Sequence, residues 1–153
     1  MAAGLLLIAG SLGAQNIPDL EAEETPLHWS AGHGLYSITA QLLANGAVAD
    51  APDQFGRTPL HRAVAFTDIV ELLLDSGADV NMADMFGRTP LHMALQYPAT
   101  VAILLDAGAN LFAQDFLGDT PLERTLRYGT SSRNSEVINL LIGAGAGAPQ
   151  SRR

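Results

Sequence analysis

The chain of 153 residues contains no cysteine and no lysine. Without cysteine there is no disulfide framework, no thiolate metal site and no cysteine nucleophile, and either redox compartment stays open. Without lysine, all eight basic residues are arginine, a bias that fits a GC-rich, bacterial coding sequence. Aromatic residues are scarce at 6%, and the formal net charge is −8. Nucleic acids and anionic membranes attract basic patches. The one basic run here is Arg152-Arg153, so a nucleic-acid partner is not expected.

Long apolar runs are missing as well. The segment 4–14 (GLLLIAGSLGA) is apolar but well short of the roughly 20 residues that span a bilayer, so no integral membrane segment is expected. It reads either as the hydrophobic part of a secretory signal cleaved after Ala14 or as half of a structural unit. No Lys or Arg precedes it, and Leu12 is bulky where a cleavage site wants a small residue. The expectation is a cytoplasmic protein. The alternative is an exported one, periplasmic or secreted, with the same mechanism of action.

What the sequence does have is repetition. Thr25-Pro26-Leu27-His28, Thr58-Pro59-Leu60-His61 and Thr89-Pro90-Leu91-His92 recur, and Thr120-Pro121-Leu122-Glu123 is a fourth copy, at intervals of 33, 31 and 31 residues. Gly46, Gly77 and Gly108 each fall 12 residues before the next threonine, and Gly13 keeps the same offset before Thr25. Asp53, Asp84 and Asp115 fall five residues before it, within DQFG, DMFG and DFLG. Threonine caps a helix through its hydroxyl, and proline suits the first helical position because its missing N–H has no helical partner there. A short first helix such as Pro59 to Phe66 follows. A second helix carries an apolar stripe, as in Ile69, Val70, Leu72, Leu73 and Leu74. Glycine then ends that helix, and Asp-x-x-Gly forms a tight turn.

The TPLHRA and TPLHMA signatures and GADVN at 77–81 resemble the ankyrin repeat, from Thr25 to about Ala146. The resemblance implies an all-α solenoid of helix–turn–helix units with short β-hairpin loops. It divides the chain into repeats 25–57, 58–88, 89–119 and 120–146. Residues 1–24 would be an N-terminal capping half-repeat, or the signal-like segment, with an acidic hairpin; 147–153 would be a flexible tail. Repeats two and three are two residues shorter than the first, which predicts a loss in the turns at Phe66-Thr67 and Tyr97-Pro98. Repeat four is longer, which predicts a polar loop over Gly129 to Ser135. A terminal repeat should also show a polar outer face, as Glu123, Arg124 and Arg127 suggest.

The resemblance further implies that His28, His61 and His92 are structural, tying neighbouring repeats by hydrogen bonds. His33 then has no partner for a zinc site, and no set of residues suits acid–base or nucleophilic catalysis. Neither an enzyme nor a cofactor is expected. Protein–protein recognition is implied, as a scaffold, adaptor or inhibitor working through hairpin tips and inner helices. The candidate contacts form two columns: Phe66, Tyr97 and Tyr128 (with His33) eight residues after the threonine, and Phe55, Phe86 and Leu117 in the hairpins. Gln54, Met85 and Phe116 precede the latter. Both columns could equally pack in the core, although Met85 and Phe116 sit where a tip is usually polar. The acidic balance favours a partner with a basic rim.

Overall fold

A computed structural model of the chain describes residues 24–129 and 133–147. The half-repeat, signal and acidic hairpin expected over 1–24 therefore lie outside the described residues, Glu24 excepted, as does the tail beyond Gly147.

The described residues form four pairs of antiparallel helices in series. The inner helices are α1 (Pro26–Gly32), α3 (Pro59–Arg62), α5 (Pro90–Met93) and α7 (Pro121–Tyr128). The outer helices are α2 (Tyr36–Ala44), α4 (Thr67–Asp75), α6 (Pro98–Asp106) and α8 (Arg133–Gly143). Inner helices stack on inner and outer on outer along the series. No β-strand forms among the described residues, so the hairpins between repeats are hydrogen-bonded turns rather than ribbons.

Each inner helix starts at proline directly after threonine, with the threonine backbone extended. Behind this start the apolar residues of both helices turn inward. Leu27, Leu60 and Leu91 of the signature are buried, as are Ile69, Val70, Leu73, Val101, Leu104, Val137 and Leu141 of the outer helices. A fully buried leucine or valine of this kind contributes about 1.5–3 kcal/mol, and here all of them join in one core that runs through the four repeats. Thr100 on α6 adds a buried hydroxyl bond to the Val64 carbonyl, 2.8 Å away in the preceding repeat.

Two length expectations are corrected. In repeats two and three the inner helix is three residues shorter than in the first and the connection after it one residue longer, so the net loss of two falls on the helix and not on the turn. Helices α3 and α5 have 4 residues each, against 7 in α1 and 8 in α7. The reason is steric: the outer helices must keep register to stack, so the shortening falls on the free end of the inner helix. In repeat four, Arg133, Asn134 and Ser135 already belong to α8 rather than to a loop. The polar terminal face is also only partial. Leu126 is 63% exposed, whereas Ala31, Val64 and Leu95 at the same repeat position are buried.

One glycine shows how closely the turns pack. Gly87 has φ +74°, and a Cβ there would lie 3.1 Å from the Cα of Asp115 in the next turn. Gly87→Ala is expected to destabilise the array by about 1–2 kcal/mol, from the left-handed backbone alone, before any displacement of that neighbour. Urea unfolding read by circular dichroism measures it, and an unchanged midpoint would mean the turns tolerate a side chain between them.

Candidate protein-binding surface

The hairpin turns are built around a buried aspartate. Asp53 Oδ1 accepts the backbone N–H groups of Phe55 (2.8 Å) and Arg57 (2.9 Å), and Oδ2 accepts from Arg57 Nε at 2.7 Å. Asp84 repeats this with Phe86 and Arg88, at 2.9, 2.9 and 2.8 Å. Burial by itself would raise the carboxyl pKa of Asp84. The bonds from the Arg88 side chain and from the Arg88 and Phe86 N–H groups outweigh it and hold the carboxyl below the usual range. The same balance lowers Asp53.

Each arginine so fixed lies over the aromatic ring of its own turn. Arg57 Cζ is 4.9 Å from the Phe55 ring centroid, and Arg88 Cζ is 4.9 Å from that of Phe86. In the third turn the arginine is replaced by Asp119. The role passes to α7, whose Arg124 pairs with Asp115 and whose Arg127 pairs with Asp119 at 2.9 Å. This substitution was not read from the sequence, although DFLGD against DMFGR carries it.

Successive turns are tied in a ladder. Met85 N–H donates to the Phe55 carbonyl and Phe116 N–H to the Phe86 carbonyl, both at 2.9 Å. The bonds hold the side chains of Phe55, Met85, Phe86, Phe116 and Leu117 in one row at the tips. All five are exposed, Phe116 at 78%, Leu117 at 65% and Met85 at 51%. Gln54 is exposed beside them. The apolar side chains here are thus not covered by neighbouring turns.

The second column divides. Phe66 is half-buried against the core. Its ring occupies the space above Gly34, where a Cβ would come within 2.6 Å of it, so packing accounts for its position. Tyr97 and Tyr128 are exposed, the latter under Arg124 and Arg127. His33 is exposed too; its Nδ1 lies 2.7 Å from the Trp29 carbonyl and its ring rests on that indole.

The signature histidines bridge repeats, as the resemblance implies. Nε2 of His28, His61 and His92 bonds the carbonyls of Arg57, Arg88 and Asp119, at 2.7, 2.9 and 3.1 Å. In His61 and His92, Nδ1 accepts the N–H of the capping threonine, which places the ring proton on Nε2. A second ladder, after the outer helices, runs through Asp50, Asn81 and Asn110: Asp79 N–H donates to Asp50 and Asn110 N–H to Asn81. Among the described residues no helix is long and apolar enough to cross a membrane, and no group of three or more His, Asp or Glu side chains is placed to hold a metal ion.

Comparison with known proteins agrees with this architecture. A family model described as ankyrin repeats (3 copies) matches residues 3–84 and, again, 67–151. A bacterial protein described as an ankyrin repeat protein, from Rickettsia bellii, is 49% identical over 41 residues. That segment is 27% of this chain and 17% of the relative, so the chain matches only a small part of the relative's length.

Proposed function

The chain belongs to the ankyrin-repeat family, whose repeats are generally protein–protein interaction modules, and from that premise we propose that it binds a partner protein through the row at its hairpin tips. The observation that carries the reading is the run of exposed apolar side chains from Phe55 through Met85, Phe86 and Phe116 to Leu117. Stacking under Arg57 and Arg88 accounts for one face of Phe55 and Phe86, but Met85, Phe116 and Leu117 stand exposed in the same row. A partner that covers them gains area at low entropic cost, because the aromatic rings have few torsions to lose. The role is that of a scaffold, adaptor or inhibitor rather than a catalyst.

Charge adds to the choice of partner. Arg57, Arg62, Arg88, Arg124 and Arg127 are each paired with a carboxylate of the chain. The charge left over on the surface is therefore acidic, carried by residues such as Glu71, Asp75 and Asp106. A basic rim around the partner's apolar contact would speed association more than it tightens binding.

The test uses the full chain as bait in native lysate, with the double variant Met85→Asp/Phe116→Asp alongside. A captured protein whose affinity falls thirtyfold or more, about 2 kcal/mol, in a still-folded variant supports the tips as the interface. Equal capture by both would mean that the partner contacts another face of the chain.

A further inference from the structure

The uneven repeat lengths leave a groove. Shortened helices α3 and α5 stand between the longer α1 and α7, and where they fall short a depression of about 380 Å³ opens at the starts of the outer helices. Ala65, Thr67, Gln96, Tyr97 and Pro98 line it, and Glu136 of α8 closes one side. It lies away from the hairpin tips, at the other end of the inner helices. Tyr97, Gln96 and Glu136 are all exposed, so the ring, the amide and the carboxylate are open to a ligand.

We propose that this groove receives an arginine side chain of a partner protein, with the guanidinium between the Tyr97 ring and the Glu136 carboxylate. The fold itself shows that this combination suits arginine. At two of its own turns a guanidinium lies 4.9 Å from an aromatic centroid while pairing with a carboxylate: Arg57 with Phe55 and Asp53, and Arg88 with Phe86 and Asp84. The groove offers the ring and the carboxylate, and among the described residues no cation pairs with either. The five arginines paired elsewhere are committed to Asp53, Glu24, Asp84, Asp115 and Asp119, none of which lines the groove. Asp68, next to Thr67 on α4, adds a further exposed negative charge nearby.

Geometry favours arginine over lysine. A planar guanidinium stacks on a ring while donating sideways to a carboxylate and to the Gln96 amide oxygen; an ammonium is a more strongly hydrated point charge. Ala65 and Pro98 give the aliphatic stem an apolar wall. The inference rests on the chain being a protein-binding module but not on the tips being its interface, and its test needs no partner protein.

The full-length chain, labelled with ¹⁵N, is titrated with N-acetyl-arginine amide and, separately, with its neutral isostere N-acetyl-citrulline amide. The expected result is a saturable shift of the Gln96, Tyr97, Ala99 and Glu136 amide signals with the arginine probe alone. Glu136→Gln, an exposed change that leaves the core untouched, should weaken the affinity about fivefold. The proposal is overturned by the absence of a saturable shift, by an equal response to citrulline, or by an unchanged affinity in Glu136→Gln. Shifts confined to Glu71 and Asp75 on the back of α4 would also overturn it, since they would mean general attraction to acidic surface.

Discussion

Alanine in place of Asp84 is expected to lower the stability of the array by about 3 kcal/mol. The carboxylate is buried and accepts two backbone N–H groups as well as the guanidinium of Arg88. Removing it leaves the N–H groups of Phe86 and Arg88 without that acceptor inside the turn, and an arginine without its counter-charge. Two consequences should spread beyond the turn. Met85 and Phe116 are held by bonds to the neighbouring tips, so a loosened central turn frees both. A linear stack also has only nearest-neighbour interfaces, so damage in its middle weakens two of them. Asp84→Asn keeps the shape and one acceptor and should be milder than Asp84→Ala. Urea denaturation at neutral pH measures both, and a loss below about 1 kcal/mol for the alanine variant would show that the aspartate is dispensable.

Acid is the second large effect. Burial lowers the pKa of His28, His61 and His92 below the usual 6.5, despite the opposing pull of the carbonyl each one bonds. The neutral ring is the one that fits, because in His61 and His92 the Nδ1 that would take the proton already accepts a threonine N–H. The sign follows from linkage: the unfolded chain binds more protons than the folded one once pH drops below 6.5, so acid favours unfolding. The histidine contribution is fully present above 6.5 and declines as pH falls toward the lowered folded values. Asp53, Asp84 and Asp115 are also lowered, from 3.8, so their loss has the same sign but starts only nearer that pH. Thermal midpoints taken between pH 7.5 and 4.5 therefore report mainly on the histidines. His61→Leu, which leaves the Arg88 carbonyl and the Thr58 N–H without the ring, is expected to cost about 2 kcal/mol at pH 7.5 and to show a shallower decline with acid. A midpoint that does not change across that range would contradict the bridging role.

These locks were only half legible in the sequence. The threonine–proline start, the turn aspartate and the glycine after each outer helix are local signals, set by caps and turns a few residues long. The inter-repeat histidine bond came from the family resemblance, because a link to a carbonyl 27 or 29 residues away leaves no local trace. Other features depend on how repeats stack. Phe66 and Tyr97 occupy the same repeat position, yet Phe66 covers Gly34 while Tyr97 has Pro98 and Glu136 about it and stays exposed. Their flanking residues differ, Ala65 and Thr67 against Gln96 and Pro98, but the partner that decides burial, Gly34, comes from the preceding repeat. The missing inner-helix turn was visible as a deletion, but its place depended on which helix had to keep register. Exposure at the tips is likewise a stacking property: spacing puts Met85 and Phe116 at a turn without saying whether the next repeat covers them.

Function on this reading depends on contact between the row of tips and another protein. A photoreactive phenylalanine analogue placed at position 116, and in a parallel sample at position 107 after α6, tests it without loss of apolar surface at the tip. Illumination in native lysate should yield a discrete crosslinked species from position 116 and none from 107. Crosslinks of equal yield from both positions, or from 107 alone, would contradict the assignment.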